Sequence, residues 1–109
     1  MYKKIIFSIC LFYIHIVFSQ EVATNKKIEE TLKKAFEYID KDNDSAYIFI
    51  EQAKKISAKI KDPLYQVKVL ETEGNYYGFV KNDYNKATNL YLKAVQICEK
   101  NKKDLDKKK

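Results

Sequence analysis

The 109-residue chain has no arginine and no tryptophan, one proline, two glycines, one histidine and two cysteines. Each scarcity removes something. Proline and glycine interrupt regular structure, so so few of them leave room for long helices and little for turn-rich β architecture. No stretch alternates apolar and polar residues with a period of two, and the fold class read from this is all-α. Without arginine, a DNA-reading role loses the side chain that best reads guanine edges, although lysine still holds phosphates without specificity. One histidine and two cysteines are too few for a zinc site of the usual composition. There is also no Gly-rich phosphate loop, no Ser/His/Asp set and no nucleophile elbow. The expectation is a protein that is not an enzyme, with no catalytic residues, no cofactor, no metal and no nucleic-acid partner.

What is there begins with a layout of three parts. Met1-Tyr2-Lys3-Lys4 is basic, Ile5 to Phe18 is a run of 14 residues without a charge, and Ser19 is a small residue followed by Gln20-Glu21. Basic, apolar, small is the order of a secretory signal peptide. The run is shorter than the roughly 18–20 residues a membrane-crossing helix needs. Residues 1–19 are therefore read as a signal peptide cut after Ser19, and the mature protein as exported, periplasmic or extracytoplasmic. The alternative is a membrane anchor over residues 5–18. Cleavage carries away His15 and Cys10 and leaves Cys98 alone, which cannot form an internal disulfide. It also lowers the net charge from +6 to +4 by removing Lys3 and Lys4. Six lysines against Glu99, Asp104 and Asp106 in residues 99–109 supply +3 of the remainder. The basic excess is thus a tail, and the region before it is close to neutral.

Between these ends the apolar residues keep helical spacing. Residues 20–27 are polar and are read as a flexible segment. Ile28, Leu32, Ala35, Phe36 and Ile39 then form one face of a first helix. Lys41-Asp42-Asn43-Asp44 is a turn, and a second helix from Ser45 to about Lys61 faces inward with Ala46, Phe49, Ile50, Ala53, Ile56 and Ile60. Asp62-Pro63 ends it, because proline suits the first turn of a new helix. A third helix runs to about Val80 with Val67, Leu70, Gly74 and Tyr77 inward. Tyr76 and Tyr77 cannot both face the core. Asn82-Asp83 is turn and N-cap chemistry, and a fourth helix runs from Tyr84 to about Lys100.

Two of these helices carry the same pattern. Ala46, Ile50, Ala53 and Ile56 recur as Ala87, Tyr91, Ala94 and Ile97, a constant offset of 41 residues (46 to 87, 50 to 91, 53 to 94, 56 to 97). Fixed-period self-similarity is the mark of a repeat protein. Small residues at Ala87 and Ala94 allow a close helix approach, and Tyr91 fills the space between them. Gly74 followed by Tyr77 is a second small-then-large pair. This alternation over two antiparallel helices resembles the tetratricopeptide repeat. Gly74 and Tyr77 match its first helix, Asp83-Tyr84 its turn, and Ala87, Tyr91 and Ala94 the face of its second helix. The segment between Tyr77 and Ala87 is one residue longer than the family pattern, and Glu73 stands where a leucine is usual. A period of 41 exceeds the family's usual ~34 by about two helical turns, which rotate a helix face by only ~20°. Helical repeats of the HEAT or armadillo kind, at about 40–47 residues, are the rival reading.

The resemblance implies a tetratricopeptide-like α-solenoid of antiparallel helix-turn-helix repeats. Residues 28–61 would be repeat 1 and 63–100 repeat 2, with 101–109 either a basic tail or the truncated start of repeat 3 at Asp104. It implies a concave groove for a protein or peptide partner, carrying Lys68, Glu71, Asn75 and Phe79 on the third helix. Lys68 and Asn75 match positions that grip a terminal carboxylate in some such domains, whereas the charge of Glu71 opposes one. It also implies that the last helix lacks a covering neighbour, so that Leu90, Leu92 or Val95 is exposed and a homodimer through that edge is possible. A signal peptide followed by such repeats is similar to the extracytoplasmic parts of bacterial histidine kinases and transcriptional regulators. The expected function is an interaction module. The alternative is a truncated fragment or a subunit of a larger envelope enzyme complex with no activity of its own.

Overall fold

The computed structural model describes residues 22–107, which form four helices and, among the described residues, no strand. The signal-peptide assignment and its cleavage site lie outside the described residues. α1 covers residues 22–39. It is already helical six residues ahead of the expected start at Ile28, and residues 22–27 are not the flexible segment read from their polarity. Ala23, Lys26 and Lys27 are good helix formers. α2 spans Asn43–Ser57, with Asp42 as its N-cap. The Asp42 carboxylate accepts the backbone N–H of Ser45 at 3.4 Å and the Ser45 hydroxyl at 2.8 Å, so the helix starts two residues before the expected Ser45. Those hydrogen bonds, the one from the Ser45 hydroxyl foremost, hold the Asp42 carboxyl below its usual range. α3 spans Pro63–Asn75, opened by the Asp62 side chain accepting the Leu64 N–H at 3.0 Å and by Pro63 in the first turn.

α3 continues into a π-helical turn, Tyr76–Val80. The wider i→i+5 winding takes up one extra residue, and it overlaps the start of the segment between Tyr77 and Ala87 that is one residue longer than the repeat pattern. Asn82 then turns the chain in the left-handed conformation at φ 54°. The Asp83 N–H reaches back to the Tyr77 carbonyl at 2.8 Å, and the Asp83 carboxylate caps the next helix by accepting the Lys86 N–H at 3.1 Å. α4 spans Tyr84–Lys107, 24 residues. It passes Lys100 and runs unbroken through Asp104-Leu105-Asp106, where the sequence reading starts a new repeat.

The helices pack as two antiparallel pairs. Ile28 and Leu32 of α1 cluster with Ala53 of α2, whereas Ala35 and Ile39 cluster with Ala46 and Ile50, so early residues of one helix meet late residues of the other. The rings of Tyr38 and Phe49 stack across this pair with centroids 5.4 Å apart. α3 lies on the seam between α1 and α2. Its Tyr65 and Val69 join the first cluster, and Tyr76 joins the second. The Tyr65 hydroxyl donates to Glu29 at 3.2 Å. On the other side of α3, α4 returns antiparallel, with Gly74 facing Tyr91 and Gly78 facing Ala87.

α3 therefore has two buried stripes, and this explains where the sequence reading fails. A single-stripe reading finds Val67, Leu70, Gly74 and Tyr77, of which Leu70 is only half-buried. The core instead takes Tyr65, Val69, Glu73 and Tyr76 on the side of α1 and α2, and Val67 and Gly74 on the side of α4. Tyr76 is 3% exposed while Tyr77 is half-buried, the reverse of the expected choice. Tyr77 packs edge-on against Tyr76 and lies under the Lys86 ammonium, 4.0 Å from its ring centroid. Phe36 is 67% exposed and not inward, because Ala35 and Ile39 already fill the contact with α2. Leu90 is buried at 7%, a correction to its expected exposure, while Leu92 and Val95 are exposed. Among the described residues Glu73 is the one buried carboxylate, and the ammonium of Lys54 meets it at 2.6 Å from α2. The hydrogen bond to Glu73 is the main reason the Lys54 ammonium is held above its ordinary value.

Candidate interaction surface

Among the described residues no helix lies over the seam between α3 and α4. Tyr91 stands at its centre. Its ring lies over Gly74, where a Cβ would come within 2.6 Å of Tyr91 Cε1, and its hydroxyl donates to the Asn75 side-chain carbonyl. Gly74 is needed at this approach because any larger residue displaces the ring. Two open clefts share Tyr91 as a wall. One, of about 340 Å³, is lined by Gly78, Phe79, Asn82, Tyr84, Ala87 and Thr88. The other, of about 220 Å³, is lined by Val67, Glu71, Ala94, Val95, Cys98 and Glu99.

Three of the four expected groove residues come to this seam. Glu71 lines one cleft, Phe79 the other at 76% exposure, and Asn75 holds the Tyr91 hydroxyl between them. Lys68 is drawn elsewhere, with its ammonium over the ring of Tyr65 at 5.5 Å. The exposed residues of α4 that complete the surface, Tyr84 and Val95, are not among the four. Their signal is in the sequence, since apolar residues flank the Ala87, Tyr91, Ala94 stripe on both sides. Large exposed apolar side chains gathered in one place mark a binding surface more often than scattered ones do. Cys98 is a free, exposed thiol at the edge of the second cleft.

A third hollow, about 390 Å³, lies on the opposite side of the π turn between Asp44, Tyr47, Ile48, Tyr76, Tyr77 and Lys81. Its tyrosines contact one another, Tyr47 with Tyr76 at 5.8 Å and Tyr76 with Tyr77 at 5.2 Å between centroids. Among the described residues no group of three or more His, Cys, Asp or Glu side chains is placed to hold a metal ion, and no helix is long and apolar enough to cross a membrane. No protein-family model, curated protein or solved structure matches this chain significantly.

Proposed function

We propose that this chain is an exported, non-enzymatic protein–protein interaction module, built of tetratricopeptide-like helical repeats as in the scaffold or sensory region of a bacterial signalling protein. The observation that carries the reading is the α3–α4 seam, which no other described residue covers, with Phe79, Tyr84 and Val95 exposed around Tyr91. A surface of this kind is stable in water at a cost, which a partner removes by covering it. Two registers support reading the hairpins as successive repeats. An offset of 41 carries α2 onto α4. An offset of 39 carries Ile28, Leu32, Ala35 and Ile39 of α1 onto Val67, Glu71, Gly74 and Gly78 of α3 (28 to 67, 32 to 71, 35 to 74, 39 to 78).

A photo-crosslinking residue at position 79 or 95, in the cells that make the protein, tests the reading. One adduct of discrete mass is expected from each, and none from position 30 on the exposed face of α1. Equal adducts at all three positions, or none, would overturn it. Export is tested separately by mass spectrometry of the protein made in a bacterial host. Cleavage after Ser19 is expected, and an intact N-terminus in the cytosolic fraction defeats it.

A further inference from the structure

We infer that the α3–α4 seam takes an amphipathic helix of a partner protein, seated as α3 is on the α1–α2 seam, with a basic residue opposite Glu71 and an apolar residue opposite Val95. This rests on the reading of the two hairpins as successive repeats. The chain then contains its own template for the occupant. On the first seam, α3 sets Tyr65 and Val69 against Ile28, Leu32 and Ala53, sets Tyr76 against Ala35, Ile39, Ala46 and Ile50, and gives Glu73 to Lys54.

The two registers translate this seam onto the second. Ala46, Ile50 and Ala53 become Ala87, Tyr91 and Ala94, so the floor again alternates small and large. Several positions change chemistry, among them Glu29, which accepts the Tyr65 hydroxyl on the first seam and becomes Lys68 (29 to 68), and two of them decide the occupant. Leu32 becomes Glu71, and Lys54 becomes Val95 (54 to 95). On the first seam Leu32 clusters with Tyr65 and Val69, and of the two the register assigns it Val69, one turn after Tyr65 as Leu32 is one turn after Ile28. Its counterpart on the partner must answer a carboxylate, with Glu99 adding a second negative charge in the same cleft. The counterpart of Glu73 faces a valine in place of an ammonium and must be apolar, because a carboxylate buried there has no partner.

A second copy of this chain does not supply that helix by stacking end to end. The same offset of 39 places Lys26, Glu30, Lys34 and Glu37 of α1 where α3 has Tyr65, Val69, Glu73 and Tyr76 (26 to 65, 30 to 69, 34 to 73, 37 to 76). All four are charged and exposed. The α1 end of the array is thus a polar cap, and the α4 end is the apolar one.

The test uses two fluorescent peptides and the purified full chain, read by anisotropy. One peptide has the sequence of residues 62–80. The other is the same with Val69→Lys and Glu73→Leu. The substituted peptide is expected to bind at least about tenfold more tightly, the order that one added ion pair and one relieved buried charge supply. Val95→Lys in the protein restores the template's lysine and should cut that preference by about tenfold, toward the native peptide. Glu71→Leu should remove the advantage of the lysine. Both protein variants lie at exposed positions and leave the core intact. Binding of neither peptide overturns the inference, as does a preference that Val95→Lys does not move. Sedimentation showing a dimer that occludes position 95 assigns the seam to a second copy and also overturns it. Discrete crosslinks at 79 and 95 alongside failed peptides would leave the interaction module standing and remove only the helix and its register.

Discussion

Tyr91 and Gly74 are a matched pair: the ring occupies the space that any Cβ at position 74 would need, 2.6 Å from Cε1. The ring cannot simply swing away, because its hydroxyl is held by Asn75 one residue further along α3. The two helices approach this closely only with glycine on one side and a flat ring on the other.

The pair predicts a change of sign. Gly74→Ala alone should destabilise by about 1–2 kcal/mol, since overpacking outweighs the better helix propensity of alanine. In a Tyr91→Ala background the same substitution should stabilise by up to ~1 kcal/mol, because only the propensity gain remains. Urea denaturation of the four proteins in the cycle gives the coupling. Additive effects would show that the ring does not depend on Gly74.

Lys54 and Glu73 predict an alkaline limb. The ammonium is stabilised in the fold, so its contribution is present in full below the ordinary lysine value of about 10.5 and is lost as pH rises through the folded value. Lys54→Met should lose that limb and also strand a buried carboxylate, at a cost of about 1–3 kcal/mol near neutral pH. Half of the lysine is open to water, which keeps the figure below that of a fully buried pair. Adding Glu73→Leu should restore most of the loss. Thermal melts from pH 7 to 11 provide the check, with the tyrosines cancelling in the difference between variants. Identical alkaline limbs for wild type and Lys54→Met would refute the assignment.

Much of the architecture was legible because helical periodicity is a local property. Pro63 behind Asp62, Asp83 before Tyr84, and the stripe Ala46, Ile50, Ala53 each declare themselves within a few residues. The central helix was legible only in part. α3 is buried on two sides, and two overlapping stripes blur the period that either alone would give. Glu73 was the hardest position to read, since a carboxylate is expected outside and only a lysine from another helix brings it in. The exchange of Tyr76 for Tyr77 has the same origin as the blurred period, because Tyr65, Val69, Glu73 and Tyr76 keep a helical spacing of four, four and three on the stripe that faces α1 and α2. Of the groove residues, Glu71, Asn75 and Phe79 keep one face because they follow helical spacing. Lys68 departs because its long side chain finds the Tyr65 ring.

Asn82 predicts a narrow tolerance. Its φ of 54° lies in the left-handed region, where a Cβ costs roughly 1–2 kcal/mol and asparagine is the least strained residue after glycine. Asn82→Gly should be near neutral or slightly stabilising. Asn82→Ala should cost about 1 kcal/mol and Asn82→Val more. Equal midpoints in chemical denaturation for the glycine and valine variants would mean that the turn relaxes to another conformation.

The far end of α4 predicts independence from the fold. Ile97 is the last residue of the helix with any burial, and every residue from Cys98 to Lys107 is exposed. The extension needs no nucleation, because it grows from turns already anchored on α3. It is supported by Glu99 and Lys103 at i, i+4, and by Lys107 in the last turn, where a positive charge suits the helix end. Lys103 and Lys107 oppose each other at the same spacing, so these terms nearly cancel. Amides 102–107 should therefore exchange with solvent far faster than those of 86–96. A stop codon after Lys102 should change the unfolding free energy by no more than about 0.5 kcal/mol. A stop after Val95, which removes Ile97 and the wall of the second cleft, should cost several times as much. Slow exchange at 102–107 in the isolated chain would mean that this end is covered, and the loss of that protection on dilution would identify a second copy as the cover.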